Sequence, residues 1–209
     1  MARGFRRRGS GSGVRYAARL DPLERATVAG LMDQVHDLLE PTPVPQTASR
    51  PGADDFSSIV AGLAMGVTVA AEDQVDLDAS AAERDPALNR LLPTANRVDD
   101  EAAAEFRRLT EPGLRQRKAA GLALAAEALR GDDDKVRLDE ADARAFLIAL
   151  TDVRLVLGER MGLRTDDDVD VLETVAADLD DDDPLRYALA VYDFLTWLQE
   201  TLASAMLVR

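Results

Sequence analysis

The residues of this chain that could carry out chemistry are few, beginning with a lone histidine. His36 is the only imidazole among 209 residues, and there is no cysteine. A serine–histidine–aspartate triad would have to use His36, but no serine stands in the strand–turn–helix pattern that exposes a nucleophile. A transition-metal site would lack a second histidine and any thiolate. We therefore expect no metal, no cofactor and no catalytic nucleophile, and we expect His36 to be structural or solvent-facing.

Acidic side chains are the other candidates for chemistry. Glu105, Asp152 and Asp193 fall on predicted helices near apolar positions, where burial would raise a carboxyl pKa and suit acid–base catalysis. The alternative is an ion pair with a helix arginine, which is the commoner role of such residues. The pairs that we expect are Asp152 with Arg186 and Arg154 with Glu200. We therefore expect no enzyme, and a carboxylate enzyme remains the third alternative.

An acidic run begins like a calcium-binding loop. Asp166, Asp168 and Asp170 are spaced at i, i+2 and i+4, as the first oxygen ligands of such a loop are. The sixth position is Val171 instead of glycine, and the twelfth is Ala177 instead of glutamate. Residues 165–183 contain ten acidic residues and no basic one. The pattern predicts a solvated acidic loop rather than a calcium site.

The N-terminal segment carries the one charge pattern that indicates a partner. Residues 1–19 contain six arginines and no acidic residue, and Gly9, Gly11 and Gly13 interrupt them. We predict that residues 1–13 form a flexible basic arm, which could contact nucleic-acid phosphates. The alternative is a solubilising tail that guards a strand edge. The candidate nucleic-acid contacts are Arg3, Arg6, Arg7, Arg8, Arg15 and Arg19.

Capping residues and hydrophobic spacing predict the elements that position these side chains. Val14, Tyr16, Ala18 and Leu20 alternate with other residues and predict a short strand. A capping box, Asp21-Pro22-Leu23-Glu24, predicts a helix to about Glu40. Further helices are predicted over about 55–63, 87–92, 99–130, 139–161 and 185–206, and Pro112-Gly113 should kink or break the third of these. Asp85, Asp139 and Asp183 are the expected starts of the helices over 87–92, 139–161 and 185–206, and Gly162 is expected to end the fourth of these in a left-handed conformation. A second strand is predicted over 136–138 and could pair with residues 14–20.

Composition sets the fold class. Hydrophobic residues make up 46% and aromatic residues only 4%, so the core must be built from Leu, Val and Ala. Ala and Leu favour helices, and the β-branched and aromatic residues that are typical of strand proteins are comparatively few. We predict a mainly α protein, a single-domain bundle of about five to six helices with one or two short N-terminal or central strands. The predicted division is a flexible arm over 1–13 and a single helical domain over 14–209.

The distribution of charge restricts the partners. The net charge is −14, and residues 20–209 carry 19 basic against 39 acidic groups, so most of the surface repels phosphate backbones. The longest uncharged run, Phe56–Ala71, has 16 residues, fewer than the about 20 that a spanning helix needs. No apolar stretch follows the N-terminal arginines as in a secretory signal. We expect a cytoplasmic protein with no membrane partner.

Several sequence blocks together resemble the actinobacterial domain-of-unknown-function family number twenty-seventeen. The blocks are Arg19–Arg25, Asp85–Pro93, Glu101–Thr110, Asp152–Gly158 and Tyr192–Glu200. The resemblance implies an intracellular helical protein, whose relatives are typically encoded beside the ClpS protease adaptor and a cysteine-releasing metallopeptidase. Some family members are named oxidative-stress transcriptional regulators, with a thiol pair proposed as the sensor. This chain departs from that mechanism because it has no cysteine.

The resemblance carries over no catalytic residue. It singles out motif residues of unknown role, among which Trp197 could belong to a partner-binding face or to the core. These residues are Asp152, Arg154, Tyr192, Asp193, Trp197, Gln199 and Glu200.

The leading hypothesis for function is a non-enzymatic regulatory protein, of the oxidative-stress transcriptional type by resemblance and without a cysteine switch. The alternative is a protein–protein adaptor that makes no DNA contact. The expected partners are a protein, and DNA through the N-terminal arm. The sequence leaves the oligomeric state open, and a homodimer would suit a regulator.

Overall fold

The computed structural model describes residues 2–10, 13–40, 85–93, 100–131, 133–177, 180 and 183–208. The helix predicted over 55–63 lies outside these residues. Within them the predicted mainly α fold is confirmed, with six helices and a three-stranded sheet. The elements are β1 (Arg3–Arg8), β2 (Arg15–Arg19), α1 (Pro22–Leu39), α2 (Pro86–Leu91), α3 (Asp100–Leu129), β3 (Lys135–Leu138), α4 (Glu140–Arg160), α5 (Asp166–Ala177) and α6 (Pro184–Leu207).

The sheet is antiparallel, with the strand order β1-β2-β3. Tyr16 of β2 pairs with Leu138 of β3, and Ala18 pairs with Val136, which confirms the predicted partnership of these two segments. All four side chains are buried. Because strand residues alternate between faces, the residues between them must lie on the solvent face.

The prediction of a flexible arm was wrong for Arg3–Arg8, which form the edge strand β1. The strand is held because Phe5 is buried at 4% exposure, with its ring centroid 5.6 Å from that of Phe146 in an edge-on contact. The Phe5 amide also donates to Thr201 Oγ1 of α6 at 3.1 Å. A Cβ on Gly4 would lie 2.5 Å from Thr201 Cγ2, so glycine allows this close approach.

The helix termini follow the predicted caps. Asp21 and Glu24 form a reciprocal capping box at the start of α1, and Asp85, Asp139 and Asp183 cap α2, α4 and α6. A residue in the left-handed conformation follows α4, as expected of Gly162, whose φ is 77°.

The predicted break at Pro112 does not divide α3, which is assigned as one helix over Asp100–Leu129. Its C-terminal half packs on α1 and α4. Buried residues there include Leu122, Ala126 and Leu129. Pro112 costs the helix one backbone hydrogen bond and introduces a local clash. The packing of the residues that follow it offsets this cost and keeps the helix continuous.

The acidic run predicted to be a loop is instead helix α5, starting at Asp166. The backbone amides of Thr165 and Arg164 donate to Asp168 Oδ2 at 2.6 and 2.8 Å, which caps the helix start. Both hydrogen bonds lower the pKa of Asp168, and the one from the Thr165 amide makes the larger contribution. Negative charge at this end is also favoured by the helix dipole, so the aspartates suit a helix N-terminus.

Buried side chains from α1, α3, α4 and α6 belong to one hydrophobic core, and a buried ion pair joins α3 to α4. The largest fully buried side chains include Phe146, Leu195 and Leu198. Asp152 is only 2% exposed and lies 2.5 Å from Lys118 Nζ, so the predicted pair with Arg186 was wrong. Burial raises the pKa of Asp152 even though Lys118 acts in the opposite direction.

Phe5→Ala tests whether β1 is anchored in the core. Removing a buried phenyl ring leaves a cavity and should lower the free energy of unfolding by about 3–5 kcal/mol. Leu23→Ala is the matched control, because Leu23 is 76% exposed and its truncation should change little. Urea unfolding followed by circular dichroism measures both variants. Equal, small effects at the two positions would show that β1 is not docked.

Asp152→Asn tests the buried ion pair. The folded state holds the Asp152 proton more tightly than the unfolded chain, so ionisation disfavours folding. As pH rises from the ordinary value of 3.8 through the raised pKa, the wild type should lose free energy of unfolding relative to the variant. Urea unfolding of both proteins between about pH 3.5 and 7 measures this difference. A difference that grows in favour of the wild type with rising pH would contradict it.

Candidate nucleic-acid interface

The solvent face of the sheet gathers basic side chains from all three strands. Ala17 sits at the centre of this face, paired with Arg6 on one side and with Arg137 on the other. Arg8 pairs with Arg15 at one end of the sheet. The basic sheet face consists of Arg3, Arg6, Arg8, Arg15, Arg19, Lys135 and Arg137, all of which are exposed.

Five of the six arginines predicted to contact nucleic acid thus lie on one surface. Arg7 is the exception, because it pairs with Tyr16 on the inward face and is only partly exposed. Arg7 lines a separate cavity of about 680 Å³ near Trp197 and Glu200. Sequence reasoning missed Lys135 and Arg137, although their alternation with buried neighbours was the signal that could have found them.

Two acidic residues lie at the rim of the basic sheet face. Arg19 pairs with Asp134 at 2.7 Å, and Arg137 pairs with Asp133 at 2.8 Å. A hydrogen bond with the Asp134 side chain, followed by one from Arg137, lowers the pKa of Asp133. The described residues provide no carboxylate partner for the other five cations, which are therefore available to an external anion. These are Arg3, Arg6, Arg8, Arg15 and Lys135.

The shape of the face suits a phosphate backbone better than bases. The small side chain of Ala17 leaves a cleft of about 620 Å³ bordered by the basic side chains. Phe5 and Tyr16, the aromatic residues of these strands, are buried on the other side of the sheet. Sheets that read single-stranded bases present aromatic rings for stacking, and this face presents none. Its guanidinium groups can donate to phosphate oxygens.

The motif residues that the family resemblance singles out lie mainly at the contact of α4 with α6. Arg154 donates to Gln199 Oε1 at 2.8 Å and to the Tyr192 hydroxyl at 3.3 Å, so the predicted pair with Glu200 was wrong. The Arg154 guanidinium also lies 5.0 Å from the centre of the Tyr192 ring. Gln199 in turn donates to Thr151 Oγ1 at 3.1 Å. These contacts hold the two helices together.

The remaining candidates are dispersed over the surface. Trp197 stacks on Phe194 with ring centroids 5.7 Å apart and packs partly against the core. Asp193 and Glu200 are exposed, as is Glu105, which pairs with Arg108 at 2.7 Å. The structure therefore does not bring the three candidate catalytic carboxylates Glu105, Asp152 and Asp193 into one site.

His36 is one of the residues that line a wide groove between α1 and α3. The groove has a volume of about 860 Å³ and is also lined by Leu39, Glu40 and Pro112. The His36 ring nitrogen Nδ1 is 3.4 Å from Asp37 Oδ1. Within the described ranges, no group of three or more His, Cys, Asp or Glu side chains is arranged to hold a metal ion. None of the helices described there is long and apolar enough to cross a membrane.

Comparison with known proteins places the chain in a family. A family model with the description "Domain of unknown function (DUF2017)" matches residues 2–206. A protein of Mycobacterium leprae (strain TN) named "Putative oxidative stress regulator AosR" is 33% identical over 136 residues, which are 59% of this chain and 59% of that relative. The chain therefore matches less than two thirds of that relative's length. No solved structure matches the chain. Because the family model covers nearly the whole sequence, the chain belongs to the DUF2017 family.

Proposed function

We propose that this protein is a non-enzymatic regulator that binds the backbone of DNA through its basic sheet face. The observation that carries the proposal is the collection of seven exposed basic side chains on one side of the sheet. The name of the Mycobacterium leprae relative supports the regulatory part of the proposal. The chain contains no cysteine, so a disulfide within these residues is not its switch.

Charge asymmetry supports DNA as the partner. Residues 20–209 carry 39 acidic and 19 basic groups, so a polyanion is repelled by most of the surface. The basic sheet face is a local exception, and it would orient the protein on a duplex. Because it presents no aromatic ring, the binding should depend on phosphates and be largely independent of sequence.

The double variant Arg6→Ser/Arg8→Ser tests this interface. If about five cations each neutralise one phosphate, the slope of log K against log salt for the wild type is about −4.5. Losing two of them should make the slope shallower by about 2. Fluorescence anisotropy with a labelled duplex at several salt concentrations measures this. Point substitutions are preferable to a truncation at Val14, since truncation would also remove the buried Phe5.

Two further variants make the test specific. Arg117→Ser/Arg144→Ser removes the same charge from exposed positions on α3 and α4, and should leave the slope unchanged. Asp134→Asn removes the carboxylate that pairs with Arg19 and should tighten binding. Equal losses in the two arginine double variants would attribute the binding to net charge alone. An absence of binding at low salt would reject DNA as the partner.

The second candidate function is a protein adaptor that makes no DNA contact. The groove of about 860 Å³ between α1 and α3 favours this function. Two exposed apolar side chains, Phe106 and Leu109, lie on the N-terminal half of α3, which also lines the groove, and such exposed apolar surface is typical of protein-binding sites. A carboxylate enzyme is the third candidate. The buried carboxylate with a raised pKa, Asp152, is paired with Lys118 between two helices, which supports a structural role.

A further inference from the structure

A second basic site lies away from the sheet, where α2, α4, α6 and the segment before α5 meet. We call this cavity the arginine pocket. It has a volume of about 260 Å³. The side chains that supply its charge and polar groups are Arg90, Thr151, Arg154, Arg164, Thr165 and Tyr192.

The acidic residues near the arginine pocket do not balance its charge. Glu159 is shared by two of its arginines, since Oε2 lies 2.8 Å from Arg90 Nε and Oε1 lies 3.8 Å from an Arg164 nitrogen. The carboxylate of Asp168 accepts the backbone amides of Arg164 and Thr165. Among the described residues no carboxylate pairs with Arg154, whose hydrogen-bond partners are neutral.

Arg154 also has an unused donor. Its Nε is buried and has no hydrogen-bond partner among the described residues. Three arginines line the pocket and a single glutamate carboxylate pairs with two of them, so the pocket keeps an excess of positive charge that suits an anion.

We propose that the arginine pocket binds a small phosphate-bearing molecule. Pockets for larger organic ligands have volumes of about 300–1,000 Å³. The arginine pocket is smaller, so a phosphate with a small substituent suits it. Guanidinium groups match phosphate oxygens in geometry and charge, and the hydroxyls of Thr151, Thr165 and Tyr192 line the same space. Because the pocket joins three helices and the α4–α5 segment, an occupant would stabilise the folded protein. The proposal is independent of DNA binding.

Inorganic phosphate is the probe, with chloride at the same ionic strength as the reference. Isothermal titration calorimetry measures the Kd, and thermal unfolding measures the stabilisation of the full chain. Arg164→Gln is the first variant, because the Arg164 side chain is 74% exposed and its loss should not unfold the protein. The expected result is that phosphate binds and raises the Tm, and that Arg164→Gln weakens the binding about ten- to hundredfold.

Two controls separate the arginine pocket from other basic surfaces. Arg144→Gln removes an exposed arginine of α4 that is paired with Glu140, and it should leave the Kd unchanged. Arg6→Ser/Arg8→Ser alters the basic sheet face and should also leave the Kd unchanged. The proposal is overturned if phosphate binds no better than chloride, if Arg164→Gln binds as the wild type does, or if the sheet variant loses phosphate binding.

Discussion

The contact of β1 with the core is the interaction on which the candidate DNA interface depends. Phe5 packs edge-on against Phe146, and its amide donates to Thr201 of α6. Gly4 permits this approach because a side chain there would overlap Thr201. Once Phe5 is fixed inward, the pleat of the strand places Arg6 and Arg8 outward. A run of arginines thus becomes part of an ordered surface.

An ordered charged face differs in its physics from a charged tail. Cations held on neighbouring strands are already positioned, so binding a phosphate backbone costs less side-chain and backbone ordering than folding a tail onto it. The same like charges repel each other across the sheet, which the pairs of Arg19 with Asp134 and of Arg137 with Asp133 partly offset. A bound polyanion would relieve the repulsion among the basic side chains. Asp133 and Asp134 already neutralise part of that charge and so limit how strongly the face attracts an anion.

Polar groups buried between the helices have a different role. The Lys118–Asp152 pair joins α3 to α4, and Arg154, Tyr192 and Gln199 join α4 to α6. Such contacts require specific geometry, so they define how the helices align more than apolar packing alone does. The arginine pocket lies at the edge of this network, where Arg154 has a neutral set of partners and an unsatisfied donor.

The sequence by itself determined the features that depend on local physics. Asp21 with Glu24, Asp139 and Asp183 marked helix starts, and alternation over residues 14–20 and 136–138 marked two paired strands. Composition was a weaker guide than capping in the acidic run. Asp166–Ala177 is helical although its composition suggested a loop, because Asp168 caps the preceding amides. Only the tertiary structure decided that the N-terminal arginines share one face with Lys135 and Arg137. The position of β1 depends on the packing of Phe5 against Phe146, a core residue far along the chain, and local sequence does not encode that contact.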